Sequence, residues 1–474
     1  MRSILLILLA LLSVGTAAAA TRVWLIGGGN TLRNSQGQIE ENVRWLQRVL
    51  TERGVEFRTY YTSGKTPMVD VVYFAAGEDR DPDLERVLRV FGDETAYANR
   101  TKRNTLALVD GTTEKTALLA ALKQDFASVG PNDSVLIVYN GHGDMDAGDT
   151  SRNSLKLWGD GRLSVSEFGR ALNDIDRRAT VRVVMTQCFS GAFAALAYEA
   201  PKGINSAAQR RCGYFAESDM RESEGCDLGI NQSEFRDYTT YLFAALTGST
   251  RLGEQIPSAE VDLDGSGTVS FEEAHHYTLK HGINSDLPRS TSEAFLERSE
   301  PWYLRWNSFS RGDVKSRYRD AARHIAQREG LAEHGPRLVH ELTRRHRWRT
   351  GIEADIASAN RSLRQMQIDL RSAVVGREPL ASEPNFWLRL APAATRRISA
   401  GIAEQPGYRE LVALQEQQLA SMASVLTAKR SEAQVERILW LNRIARLERH
   451  FAGQVGGAGE QLDRLKECER GAFP

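Results

Sequence analysis

Cysteine is scarce in this chain: four in 474 residues, at Cys188, Cys212, Cys226 and Cys468. Net charge is absent, with 61 basic residues against 61 acidic ones. Nothing therefore draws the whole surface toward nucleic acid or an anionic membrane, and any basic surface must be local. Long apolar runs are missing beyond residue 20. None approaches the roughly 20 residues that a bilayer-spanning helix needs, which excludes helical membrane spans there. What remains, 41% hydrophobic and 26% charged residues, is a globular composition with enough chain for two or three ordinary domains.

The first twenty residues differ from the rest. Arg2 precedes an apolar run at 4–14, and small residues follow, ending Ala18-Ala19-Ala20. A charged start, a short hydrophobic centre and an Ala-x-Ala end form the pattern of a secretory signal peptide. The run is too short for a membrane anchor, and no cysteine follows it to carry a lipid. The expectation is export to the periplasm or the extracellular space, with the mature chain beginning near Thr21. Disulfides are permitted there. Cys212 and Cys226 bracket a polar loop, and a bridge between them is expected to stabilise by roughly 3 kcal/mol. Cys188 and Cys468 would then be unpaired, and an unpaired cysteine in an exported protein is a candidate reactive thiol.

From Thr21 to about Ala192, short apolar runs at 23–26, 69–74, 106–109, 135–139 and 181–185 alternate with helical patterns at 39–53, 113–127 and 166–175. Runs of four or five consecutive apolar residues suit strands covered on both faces. Their alternation with helices predicts an α/β fold with a parallel sheet. Pro301-Trp302 marks a change of character. Beyond it, Ile352, Ile356, Ala359, Leu363, Met366 and Leu370 form a heptad seam, and a second seam includes Leu411, Leu414, Leu419, Met422 and Leu426, with Ile438, Leu441 and Ile444 nearby. Prolines 379, 384, 392 and 406 interrupt the segment between them. The expectation is an all-α hairpin or small bundle over 303–474, with coiled-coil-like packing. The basic run Arg344-Arg345-His346-Arg347-Trp348-Arg349 reads as a solvated helix face.

Two run ends carry chemistry. Val135-Leu136-Ile137-Val138-Tyr139 stops at Asn140-Gly141-His142-Gly143, and Val181-Arg182-Val183-Val184-Met185 stops at Thr186-Gln187-Cys188-Phe189-Ser190-Gly191. Ligands of open α/β sheets bind beyond the carboxyl ends of strands, so neighbouring strands would bring His142 and Cys188 to one crevice. An imidazole that takes the thiol proton produces the attacking thiolate. The backbone N–H groups of Gly143 and Cys188 are candidates to hold the oxyanion. The two side chains are 46 residues apart, close to the roughly 50 between histidine and cysteine in caspases.

Apolar strand, then Gly-His-Gly, then a later apolar strand and Gln-Cys-x-Ser-Gly: over about residues 21–302 the chain resembles the caspase- and legumain-type cysteine peptidases. The resemblance implies a caspase-like parallel sheet with a mixed edge, flanked by helices. It also implies peptide-bond cleavage through a thioester on Cys188, with His142 as base. Gln187 directly precedes the cysteine, where the family places its glutamine or acid one residue earlier, so specificity does not transfer. Arg33 falls roughly where legumain-like enzymes carry a pocket arginine, and Asp237-Tyr238-Thr239 resembles a segment lining their other pocket wall. Together they would suit an asparagine or aspartate side chain. Two other outcomes stay open on the sequence: a ligase, if an amine resolves the thioester, and a catalytically silent scaffold that offers its helical tail to a protein partner.

A second motif is separate. Asp262-Leu263-Asp264-Gly265-Ser266-Gly267-Thr268-Val269-Ser270-Phe271-Glu272-Glu273 fits the twelve-residue calcium loop. Oxygen ligands fall at Asp262, Asp264 and Ser266, a glycine at position six, the Thr268 carbonyl at seven, Ser270 at nine and Glu273 at twelve. A structural Ca²⁺ is the expected ligand, and no organic cofactor is. His275-His276 and His340-Glu341 lack zinc spacing.

Overall fold

The computed structural model describes residues 20–74, 81–92, 99–200, 203, 205–305, 315–383, 386–452, 454 and 456–474. The leader sequence expected at 1–20 lies, but for its last residue, outside them.

Six strands form the central sheet: β1 (Thr21–Gly28), β2 (Phe57–Tyr61), β3 (Ser134–Gly141), β4 (Thr180–Met185), β5 (Arg210–Phe215) and β6 (Arg289–Ser290). Their order is β6-β5-β4-β3-β1-β2. Every pairing is parallel except that of β6, which runs antiparallel to β5 at the edge. The expected α/β class and parallel sheet are present. Alternate residues of one strand face opposite layers. Trp24, Ile26, Val135, Ile137, Tyr139, Val181 and Val183 pack under α3 (Lys115–Phe126) and α4 (Val165–Ala171). Val23, Leu25, Leu136, Val138 and Val184 face α1 (Gly37–Glu52), α5 (Tyr238–Thr247) and α6 (Phe271–His281). Burial on both faces is why these strands read as continuous apolar runs.

Two expected runs lie elsewhere. Residues 71–73 pair antiparallel with 100–102 in a separate ribbon. Residues 106–109 are irregular, because the Gln47 side chain supplies their backbone partners, accepting from the Ala107 N–H and donating to the Leu108 carbonyl.

Helix α7 (Thr291–Arg298) and α8 (Arg317–Glu329) lead to a helical region in which α9 (Pro336–Val375) and α11 (Tyr408–Phe451) form the expected hairpin. The helices run antiparallel: Arg345 reaches the Ser431 carbonyl, whereas Asn360, farther along α9, meets Gln418, earlier on α11. The second seam is buried at Leu411, Ile438, Leu441 and Ile444 but departs from expectation in between. Leu419 and Met422 are exposed, while Gln415 and Gln418 are buried. These amides find polar partners, Gln415 on the Arg89 carbonyl of α2 (Pro82–Phe91) and Gln418 on Asn360. The basic run is held by carboxylates of its own hairpin, with Arg344 and Arg345 on Glu341 and His346 and Arg349 on Glu432.

After α10 (Pro392–Ala403) and α11, the chain returns to the sheet through α12 (Ala458–Glu469). There Cys468 bonds Cys212 of β5, 256 residues away in sequence. This overturns the expected Cys212–Cys226 bridge. Cys212 lies within β5 and packs toward the returning helix, and Cys226 stays free beside the ends of β1 and β3. The helical region also shares a core with the sheet domain, since Tyr198, Leu279, Phe295 and Leu296 cluster with Tyr318, Ile325, Ile438, Leu441 and Leu465.

Candidate active site

Strands β3 and β4 are neighbours whose register sets Tyr139 opposite Met185. His142 and Cys188 each lie three residues past that pair, so the 46-residue separation in sequence is the offset of the strand register. The strand ends stay joined one step farther on, where the Thr186 N–H and hydroxyl both donate to the Tyr139 carbonyl, at 3.2 and 3.0 Å. The two loops then touch. A Cβ placed on Gly143 would lie 2.0 Å from the Cys188 carbonyl oxygen and 2.8 Å from Cγ of Gln187, a contact that excludes any side chain at 143.

The imidazole is oriented by the segment after β1. A Cβ on Gly29 would lie 2.0 Å from the Asn34 carbonyl, so glycine there lets that carbonyl fold inward. It lies 2.8 Å from His142 Nε2, as does Gln36 Oε1. A carbonyl only accepts, so Nε2 carries the hydrogen and Nδ1 keeps the free lone pair. Burial pushes His142 below its usual value of 6.5, outweighing the Asn34 bond. Burial pushes the Cys188 thiol above its usual 9.0, although Ser223 contacts the sulfur with its hydroxyl at 3.8 Å and its carbonyl at 3.9 Å. Both groups rest neutral near pH 7. The arrangement therefore suits proton transfer during attack rather than a standing thiolate–imidazolium pair.

Beyond Cys188 the chain turns sharply. Phe189 takes a left-handed φ of 60°, held by its N–H on the Arg221 carbonyl at 2.8 Å. Such a conformation costs a non-glycine residue about 1 kcal/mol or more, and survives where surroundings over-determine it. Ser190 and Gly191 dock the segment 217–226 against this turn. The Ser190 hydroxyl accepts the Glu217 N–H at 3.0 Å, and a Cβ on Gly191 would lie 2.8 Å from the Glu217 carbonyl. That explains why serine and glycine follow the cysteine at this spacing.

The 217–226 segment forms a wall of the site and is braced from behind by α11. Arg430 pairs with Glu224, and Arg221 with Glu436 at 2.7 Å. The wholly buried Arg437 donates to the carbonyls of Gly282 and Asp286 and to Asn284 Oδ1. The Asp286 carboxylate in turn accepts the Glu224 N–H at 2.6 Å. A pocket of about 250 Å³ opens here, lined among others by Gln38, Ser223, Cys226, Leu426 and Arg430. Ser223 and this wall were invisible in the sequence. Their one trace was a polar loop ending at Cys226.

The remaining candidates fall around this centre. Arg33 is exposed, one residue before Asn34. Asp237 is buried behind Gly225, where it accepts from Gln38, Asn42 and Thr240. Gln187 is fully buried, and both ends of its amide lack a partner among the described residues. No family model and no curated protein matches this chain. Among solved structures, the protein GSU0716 from Geobacter sulfurreducens aligns with 57% of this chain and 92% of its own, at 13% identity and a TM-score of 0.34. That likeness is too slight to bear on fold or chemistry.

The calcium-loop candidate lies between a helical turn at Ser258–Val261 and α6. Carboxylate oxygens of Asp262, Asp264 and Glu273 all lie within 4.8 Å of one another. Gly265 and Gly267 take positive φ, 72° and 83°, as the tight turn requires. The Ser266 and Gly267 N–H groups donate to Asp262, which curls the loop inward. The Ser266 hydroxyl donates to the Thr268 carbonyl. Ser270 caps α6, and Glu273 closes a capping box with it while also accepting the N–H groups of Leu263 and Asp264. This all-oxygen donor set fits a hard divalent cation.

Proposed function

We propose that the chain is an exported cysteine endopeptidase of the caspase/legumain type. The contact of Gly143 with the Cys188 carbonyl carries the reading, because it brings the loop bearing the imidazole against the loop bearing the thiol. In the proposed reaction, Cys188 passes its proton to Nδ1 of His142 as the sulfur attacks the peptide carbonyl carbon. The Gly143 and Cys188 N–H groups stabilise the oxyanion, an interaction whose removal costs about 10²–10³-fold elsewhere. Collapse of the intermediate breaks the C–N bond. The departing amine takes the proton from His142, leaving a thioester that water hydrolyses with the same imidazole as base.

Export is supported by the leader-like first twenty residues and by the Cys212–Cys468 bridge, since such bonds persist in oxidising compartments. A structural Ca²⁺ at Asp262, Asp264, Ser266, Thr268, Ser270 and Glu273 completes the reading. Phe271 donates its N–H to the Gly471 carbonyl, so the ordered loop would also steady the returning chain end.

The deciding experiment is cleavage of a peptide library by the intact chain and by Cys188→Ala under reducing, calcium-replete conditions. The variant should lose all cleavage. Equal rates would remove Cys188 from the reaction.

A further inference from the structure

Away from this site, at the opposite end of the sheet, a pocket of about 670 Å³ lies between α4, the turn Ser190–Ala197 and the start of β5. Three arginines line it: Arg170, Arg177 and Arg211. Among the described residues no carboxylate lies within ion-pair distance of any of the three. Glu199 is the acid among the described lining residues.

Arg211 is the unusual member. It is only 8% exposed, and its partners are all neutral: Nε donates to Gln209 Oε1 at 2.7 Å, one terminal nitrogen to the Gly169 carbonyl at 3.3 Å, and the other to Asn173 Oδ1 at 2.7 Å. A guanidinium has five N–H bonds, so one remains unused on each terminal nitrogen. Two free N–H groups on one guanidinium can serve the two-oxygen face of an anion. Buried charges are normally paired. Among the described residues this one has no counter-charge, and burial alone lowers its pKa to about 10.

Three positive charges against Glu199 leave a surplus of two, which matches a phosphate near neutral pH, with its charge of about −1.5 to −2. Part of the lining, at Ile175, Leu196 and Tyr198, is apolar and would take an organic body. The volume lies within the range of small-molecule sites, about 300–1,000 Å³.

We propose that this pocket binds a phosphorylated small molecule, its phosphate on the fork of Arg211 between Arg170 and Arg177 and its organic part against Ile175, Leu196 and Tyr198.

The test is calorimetric titration of the intact chain at constant ionic strength with phenyl phosphate, inorganic phosphate and benzoate. Phenyl phosphate should bind most tightly, and benzoate most weakly. Arg211→Met should weaken phenyl phosphate about tenfold to hundredfold, as expected for loss of charge-assisted hydrogen bonds. Its ligand-free melting temperature should fall by no more than a few degrees, because removal of a buried charge offsets the loss of its three hydrogen bonds. Arg170→Gln with Arg177→Gln changes only exposed side chains and should weaken binding several-fold with the fold intact. The proposal is overturned if wild type binds no phosphate, if benzoate matches phenyl phosphate, or if the double variant binds phenyl phosphate as wild type does.

Discussion

Replacing Cys468 with alanine opens the one bridge in the chain and tests how the helical region is tied to the sheet. The bond closes a loop of 256 residues. In the chain-entropy treatment such a loop restricts the unfolded chain by about 5.5 kcal/mol, against about 3 for a loop the size of that between Cys212 and Cys226. Both sulfurs are buried, with Cys468 1% exposed and Cys212 4%, so the native bond should resist reductant until the chain unfolds. Urea unfolding followed by circular dichroism should show Cys468→Ala destabilised by about 5 kcal/mol, and wild type with reductant should approach it. Cys226→Ala should cost far less. Peptide mass mapping without reduction should join the peptide containing Cys212 to the one containing Cys468. A linked Cys212–Cys226 pair, or equal losses in the two variants, would mean that this bond does not tie the helical region to the sheet.

Gly143→Ala places a methyl where the Cys188 carbonyl stands, 2.0 Å from the new carbon. It should reduce peptide cleavage by at least tenfold while shifting the melting temperature by only a few degrees, checked by kinetics and calorimetry together. Glu469 is fully enclosed, and burial raises it from 4.5 to about 8 despite two bonds from Ser292. An acid raised in the folded state favours its neutral form there. Wild-type stability should therefore decline as pH rises from about 4.5 to about 8, by up to about 5 kcal/mol. Glu469→Gln should lose this part of the slope in urea titrations, leaving the share of Glu217, which burial raises to about 7, and should exceed wild type at pH 8.5. For the calcium loop, 10 mM Ca²⁺ against a Kd of about 10⁻⁴–10⁻³ M implies about 1.4–2.7 kcal/mol of stabilisation. Calorimetry should register this as a raised melting temperature that Asp262→Asn abolishes.

The strands that carry the site were legible because each is covered on both sides. β1, β3 and β4 are runs of Val, Leu, Ile and Trp, and their ends announced His142 and Cys188. β2 escaped notice because it is an edge strand, and Arg58 and Thr59 interrupt its apolar pattern. β5 begins with two arginines, one of them Arg211, and carries Gly213 in its middle, where a Cβ would lie 2.3 Å from a methyl of Val183. The Cys212–Cys468 pairing could not be read from spacing, since the two residues meet only after the helical hairpin has been built and the chain has returned. The 217–226 wall was hidden for a similar reason. Its position depends on Arg430, Glu436 and Arg437, more than 200 residues downstream, and no local pattern encodes that partnership.

If His142 takes the proton of Cys188, a peptidyl electrophile should label Cys188 faster in wild type than in His142→Ala. Mass mapping would follow both free thiols, with Cys226 as the internal control that burial holds well above its usual value. Cys188 should be labelled selectively near pH 7, and His142→Ala should slow its labelling by about 10²-fold or more. Equal labelling of Cys188 with and without the imidazole, or selective labelling of Cys226 in its place, would contradict that proton transfer.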